Sequence, residues 1–177
     1  ELYRSHGITR DPTKLTNASD GPWYYEQIDL GFNYRMTELQ AALGSSQMKR
    51  LDEFVALRHK LVRRYDELLC DFPLTTPWQE PDTYSSFHLY VICLNLEQLT
   101  KSRKEIFEDM RELGIGVNVH YIPVHTQPYY SKMGFKKGDF PYSEGYYEGA
   151  LSLPLFQTMT YEQQDIVVHS LEKALLK

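Results

Sequence analysis

Apolar residues recur at Leu39, Leu43, Met48, Leu51, Phe54, Val55, Leu61, Val62, Tyr65, Leu68 and Leu69, largely at the spacing of one helical face. The pattern predicts a single long helix over 37–69, opened by a capping box of Thr37 with Gln40 and stopped by Pro73 and Pro77. At ~1.5 Å per residue it would run roughly 50 Å, long enough to bridge two lobes, with Gly44 the expected kink. Downstream, FHLYVICL over 87–94 reads as a buried strand. Residues 101–113 read as a helix ended by Gly114, and 115–121 (IGVNVHY) alternate as a strand does. A short helix over 142–149 and a short strand over 151–153 follow. Residues 160–176 form a terminal amphipathic helix with Thr160 and Gln163 as its capping box. Helices and strands alternating around a small sheet predict an α/β or α+β module of roughly 100 residues.

The first 30 residues break this regularity. Gly7, Asp11-Pro12, Asn17 and Gly21-Pro22 punctuate a stretch with little periodicity. A loop this long is uncommon in a compact domain unless it is functional or belongs to further structure. With Glu as the first residue, the chain reads as a cut end.

Composition narrows the classes. The 177 residues are 42% hydrophobic and 24% charged, which is ordinary for a soluble, cytoplasmic protein. No apolar run approaches the ~18–20 residues of a membrane span. A net charge of −5 with the signs interspersed argues against nucleic-acid binding. Cys70 and Cys93, far apart in apolar settings, read as buried free thiols. The 14 tyrosines suit interfaces and clefts for sugars or bases.

Three segments carry more polar and glycine content than folding requires. In Gly31-Phe32-Asn33-Tyr34-Arg35-Met36-Thr37, the helix N-terminus favours anions, and Asn33 and Arg35 could hold a phosphate. Plain capping by Thr37 and an ordinary ion pair of Arg35 explain the same residues. In the segment from Gly114 to His125, a strand runs into a turn carrying His120, Tyr121 and His125. Ligand contact and packing are both open there; a metal site is disfavoured because no acid or cysteine completes the pair of histidines. The third segment, from Thr126 through Glu144 to Pro154, reads as packing. His59, His88 and His169 read as structural or solvent-facing.

Together the segments resemble a family. GFNYRMTELQAALGSSQMKRLDEF is similar to the G-x-N-x-R-M-x-x-x-x-A-A-x-G-x-x-Q-x-x-x-L-D segment of the DegT/DnrJ/StrS-type sugar aminotransferases. GIGVNVHYIPVHTQPYY, FPYSEGYYEGALSLPLF and the terminal helix resemble that family's C-terminal lobe in the same order. RSHGITRDP resembles the stretch after its cofactor lysine. Within the family, RSHGITRDP and NVHYIPVH are most like the transaminases that make UDP-4-amino-4,6-dideoxy sugars for pseudaminic acid or related surface glycans.

The resemblance implies an α/β fold, the C-terminal part of a fold-type I transferase with a long bridging helix and a small lobe with a short sheet. Residues 1–36 would be the tail of the large cofactor-binding lobe, 37–72 the interlobe helix, and 73–177 the small lobe. It implies pyridoxal 5'-phosphate held by a Schiff-base lysine, a nucleotide-linked 4-keto-6-deoxy sugar aminated with glutamate as donor, and a homodimer formed through the long helix and the Asn33 region. Asn33 and Arg35 would contact the cofactor phosphate; Tyr34, His120, Tyr121 and His125 would face the sugar or its nucleotide. His6 has no assignable role. No lysine here sits in the family's lysine motif, so the chain alone is expected to be inactive, with its catalytic lysine upstream. A dehydratase on the same fold, with histidine in place of that lysine, and a non-catalytic dimerisation or regulatory module are the alternatives.

Overall fold

The computed structural model describes residues 2–19 and 21–176. They divide into two compact units, Glu1–Arg50 and Leu51–Lys177.

The first unit turns the irregular opening tract into a ladder. Strand β1 (Ile8–Thr9) pairs antiparallel with β2 (Glu26–Gln27), Ile8 opposite Gln27 and Thr9 opposite Glu26. An isolated bridge joins Ser5 to Asn33. Backbone hydrogen bonds continue between the same segments: Phe32 N–H to the Tyr3 carbonyl (2.7 Å), His6 N–H to Phe32 (2.9 Å) and Tyr34 N–H to Arg4 (3.0 Å). Two glycines permit this approach. Gly7 has φ 72°, and a Cβ there would lie 1.8 Å from the Asp29 carbonyl oxygen. A Cβ on Gly31 would lie 2.4 Å from the Gly7 nitrogen. The periodicity test missed the ladder because only two residues per strand pair, too few for alternation to register.

Helix α1 (Glu38–Met48) completes the unit, and its capping box forms as the sequence predicts, with Gln40 N–H donating to Thr37 Oγ1 (3.3 Å) and Thr37 N–H to Gln40 Oε1 (2.9 Å). No residue of α1 is buried: Leu39, Leu43 and Met48 are all exposed.

The expected continuous helix is instead two. α2 (Leu51–Leu68) begins after a turn at Lys49–Arg50, where Arg50 N–H bonds to the Gln47 carbonyl three residues back. Gly44 lies inside α1 and does not break it. Apolar spacing continues across the turn, so hydrophobicity alone gave no sign of the break.

In the second unit, α2 buries Leu61, Val62 and Tyr65 on one face, and Leu69 just beyond its end continues that face. A three-stranded antiparallel sheet follows, in order β3 (Leu74–Thr75), β4 (Tyr90–Leu94), β5 (Ala150–Leu153). Tyr90 stands opposite Leu153 and Ile92 opposite Leu151. α3 (Arg103–Glu112) contributes Ile106 and Met110 to the core, and α6 (Tyr161–Leu176) contributes Val167, Leu171, Ala174 and Leu175. Between them lie α4 (Pro128–Ser131) and α5 (Pro141–Gly149). Each fully buried Leu, Ile or Met contributes about 1.5–3 kcal/mol by leaving water. Polar ties are aimed at backbone: Arg58 Nη1 donates to the carbonyls of Phe87, His88 and Leu155 at 2.9–3.2 Å, and buried Gln164 donates to that of Leu61 at 2.7 Å.

Residues 115–121 do not form a full strand. Ile115 and Val117 are buried in alternation, as the pattern predicts, yet the segment pairs only through Asn118 and Ser152. Val117 N–H turns back to the Ile115 carbonyl (2.9 Å), which removes it from any ladder. Both cysteines are free, but Cys70 is exposed, contrary to expectation, and Cys93 is half-buried on β4. Among the described residues no helix is long and apolar enough to cross a membrane, and no group of three or more His, Cys, Asp or Glu could hold a metal ion.

Candidate functional site

The sequence-derived candidates fall into two sets, one in each unit. Asn33, Tyr34 and Arg35 run consecutively along the ladder of the first unit, just ahead of the α1 N-terminus. Asn33 is exposed and held by its bridge to Ser5. Tyr34 stacks on Phe32, ring centroids 4.9 Å apart. Arg35 lines a cavity of about 700 Å³ with Arg10, Lys14, Asp11, Tyr25 and Thr9 around it. The Arg10 guanidinium lies 5.8 Å from the Tyr25 ring centroid, within cation–π range. Asp11 accepts from the hydroxyl and N–H of Thr13 and pairs with Lys14 at 3.4 Å; the Thr13 bonds hold its carboxyl below the usual range.

Glu26, on β2, gathers a separate set of donors in the same unit. Its carboxylate accepts from Thr16 N–H (2.7 Å) and hydroxyl (2.8 Å), from Asn17 N–H (2.8 Å) and amide (2.9 Å), and from Tyr24 OH (2.9 Å). The Thr16 N–H and hydroxyl lead in pulling its pKa down to about 2. Sequence reasoning missed Glu26, and it missed Arg10 and Lys14. The available signal was two cations four residues apart in a turn-rich tract, RDPTK, where side chains cannot disperse around a helix.

In the second unit, His120 Nδ1 is hydrogen-bonded to Ser152 Oγ at 2.7 Å, so β5 orients the ring. Tyr121 packs edge-on against it, centroids 4.6 Å apart, and is itself exposed. His125 differs. It is buried, its Nε2 is 2.8 Å from Glu144 Oε1, and its ring leans on Phe140. Glu144 also accepts from Gly138 N–H (2.7 and 3.0 Å) and Phe140 N–H (3.4 Å). Burial pushes the Glu144 carboxyl up, but the Gly138 and His125 hydrogen bonds outweigh it and hold it below the usual range. His125 therefore anchors the loop, while His120 and Tyr121 are presented by it. Ser152 and Glu144 were invisible as partners because each lies many residues away in sequence.

Comparison with known proteins gives the family. Residues 1–172 match the DegT/DnrJ/EryC1/StrS aminotransferase family.

The chain belongs to this family.

Among its relatives, SpsC of Bacillus subtilis, a spore coat polysaccharide biosynthesis protein, is 39% identical over 86% of this chain and 40% of its own length. The UDP-4-amino-4,6-dideoxy-N-acetyl-beta-L-altrosamine transaminase of Campylobacter jejuni (serotype O:2) is 30% identical over 100% of this chain and 44% of its own. Among solved structures, Helicobacter pylori PseC, an aminotransferase in the biosynthesis of pseudoaminic (pseudaminic) acid, superposes with a TM-score of 0.83 at 28% identity, covering 98% of this chain and 44% of PseC. The chain thus spans less than half the length of these relatives. Its α/β fold is that of the C-terminal part of these transferases. Aminotransferases of the family depend on pyridoxal phosphate.

Of that cofactor's two ends, the phosphate is the one for which this chain offers donors of the right chemistry. Arg35, Asn33 and the nearby start of α1 suit a phosphate group. The ring end calls for a lysine amine free to meet an aldehyde. Among the described residues, Lys101 is tied to Asp109 and to the Ala174 carbonyl, Lys104 pairs with Glu108, Lys137 with Glu148, and Lys14 is exposed beside Asp11. None is a buried amine facing an open cavity.

Proposed function

We propose that this chain is the C-terminal portion of an aminotransferase that converts a nucleotide-linked 4-keto-6-deoxy sugar to its 4-amino sugar, with glutamate as donor, in the cytoplasmic synthesis of a surface glycan. The observation that carries this reading is 30% identity across the entire chain to a UDP-4-amino-4,6-dideoxy-sugar transaminase. Bound pyridoxal phosphate would supply the electron sink for moving the amino group.

The chain's own residues bind and orient. Asn33 reaches a cofactor phosphate of the second subunit in a homodimer, and Arg35 beside it meets phosphoryl charge. His120, fixed by Ser152, and exposed Tyr121 and Tyr34 contact the sugar nucleotide. His125 acts on substrate only through the loop it anchors with Glu144. Residues 1–36 are the tail of a large lobe, 37–72 the interlobe segment built from α1 and α2, and 73–177 the small lobe. The exposed apolar side chains Leu39, Leu43 and Met48 support a second copy and a large lobe as the cover of α1, since contiguous apolar surface marks an interaction site.

The test is to express the full-length gene product with a UDP-linked 4-keto-6-deoxy sugar, glutamate and pyridoxal phosphate, and to follow amino sugar and 2-oxoglutarate by mass spectrometry. Loss of water from the sugar with no amine gained would establish the dehydratase instead. The 177-residue chain alone is expected to turn over nothing.

A further inference from the structure

Along α2, Asp52, Val55, His59, Arg63 and Asp66 recur three or four positions apart and so share one stripe of the helix. Two cavities open on that stripe. The larger, about 470 Å³, is lined by His59, Arg63 and Asp66 together with Thr75, Thr76 and Trp78 from the segment beginning in β3. The smaller, about 330 Å³, is lined by Asp52 and Val55 with Tyr84 and Ser86. Between them stands a stack of Tyr84 on His59, ring centroids 4.3 Å apart and planes within 7°. This is the β3 edge of the sheet, whereas Asn118 bridges to Ser152 at the β5 edge.

The lining combines open aromatic faces with polar groups. Trp78 is 78% exposed and Tyr84 72%, yet the loop that bears them is fastened. The Gln79 amide nitrogen donates to the Thr83 carbonyl and its oxygen accepts from Ser85 N–H, both at 3.0 Å. His59 Nε2 meets the Ser85 carbonyl at 2.8 Å. Flat side chains held ready in this way lose little freedom when a ligand covers them. Each aromatic has a carboxylate in its cavity: Asp66, which accepts from Tyr90 OH at 2.7 Å, and Asp52. Arg63 balances Asp66 in the larger cavity.

We propose that this cleft binds a neutral oligosaccharide, one sugar ring against Trp78 and the next against Tyr84. The site goes beyond the aminotransferase reading and does not depend on it. A pyranose presents an apolar face of C–H bonds and a rim of hydroxyls that both donate and accept. One open aromatic face per ring suits the first, and a carboxylate acceptor beside a guanidinium donor suits the second. A nucleobase has two π faces and calls for a sandwich, but among the described residues no aromatic ring faces Trp78. A phosphorylated ligand needs surplus cations, and Arg63 against Asp52 and Asp66 leaves none.

The test is saturation-transfer NMR and calorimetry on the full-length protein with cellobiose and N,N'-diacetylchitobiose, set against glucose and UDP. Both disaccharides should bind, glucose about tenfold more weakly because it covers one aromatic face, and UDP should not displace them. Trp78→Ala should weaken the disaccharides about tenfold, with Trp78→Phe recovering part of the loss. Tyr84→Ala should bring them down to the affinity of glucose, and Arg63→Ala should weaken them about fivefold. All three positions are exposed, so the melting of the variants should stay at the wild-type value. No saturation transfer from either disaccharide, equal affinity for glucose, displacement by UDP, or undiminished binding in both Trp78→Ala and Tyr84→Ala would overturn the site. So would a Trp78 that iodide fails to quench in the full-length protein, read as the difference from Trp78→Phe, because other parts of that protein would then fill the cleft. A full-length protein that binds cellobiose through Trp78 and transfers no amine would overturn the aminotransferase reading alone.

Discussion

Gly7→Ala is the substitution that most directly links backbone geometry to the candidate site. A Cβ at this position would lie 1.8 Å from the Asp29 carbonyl oxygen and 2.5 Å from its carbon. Carbon and oxygen do not approach closer than ~3.3 Å without strain, so the segments carrying Gly7 and Asp29 must part by roughly 1.5 Å. The φ of 72° adds about 1–2 kcal/mol for a residue with a Cβ. Parting the segments breaks the bonds from Ile28 N–H to the Gly7 carbonyl and from His6 N–H to Phe32, both 2.9 Å and each worth about 1 kcal/mol. The local cost is therefore roughly 3–4 kcal/mol. Amide hydrogen exchange is the assay. At Ile28 and His6 protection should fall by a factor of about 100 or more, or vanish, since ~1.4 kcal/mol corresponds to tenfold. The amides of Ile92 and Leu151 on the second unit's sheet serve as reference. Protection at Ile28 and His6 within about threefold of wild type would refute the steric reasoning.

Four further outcomes are expected. Ile92→Ala, at a fully buried position, should lower the denaturation free energy by about 2–5 kcal/mol, whereas Leu39→Ala, 82% exposed, should change it by less than about 0.5. The Glu26 carboxyl sits at about 2 against an ordinary 4.5, so its support of the Thr16–Asn17 turn is complete above pH 4.5 and is lost as pH falls through about 2; Glu26→Gln should abolish the pH-dependent shift of those two amides in that window. Burial, only partly offset by the Tyr90 hydroxyl, raises the Asp66 carboxyl, so ionising it in the fold is a cost that is absent below pH 3.8 and present above the raised value. Asp66→Asn should thus be more stable than wild type at pH 7 and no different at pH 3 in thermal melts; a destabilised variant at pH 7 would reverse the sign. Leu43→Glu, on the exposed face of α1, should convert a full-length dimer to monomer by light scattering without altering the melting of the second unit.

The sequence by itself determined what depends on short range and on order. Capping boxes at Thr37 and Thr160 need only a residue three positions on, and both formed. The buried strands β4 and β5, and the alternate burial of Ile115 and Val117, followed from hydrophobic spacing, because apolar side chains gain by leaving water. The ordered motifs from RSHGITRDP to the terminal helix were enough to give the family. Tertiary structure decided the remainder. Whether 115–121 pairs as a strand depended on its tertiary neighbours, and among the described residues its bridge is the one between Asn118 and Ser152. That the long helix breaks at Lys49–Arg50 was hidden, because apolar spacing continues through the turn. That His125 is clasped by Glu144 while His120 is aimed by Ser152 depended on partners 19 and 32 residues away. That Arg35 shares a cavity with Arg10 and Lys14 follows from the pairing of segments that are close in space around Gly7 and Gly31. Local chemistry is written along the chain, whereas the meeting of distant side chains is fixed by packing, which no short window of sequence contains.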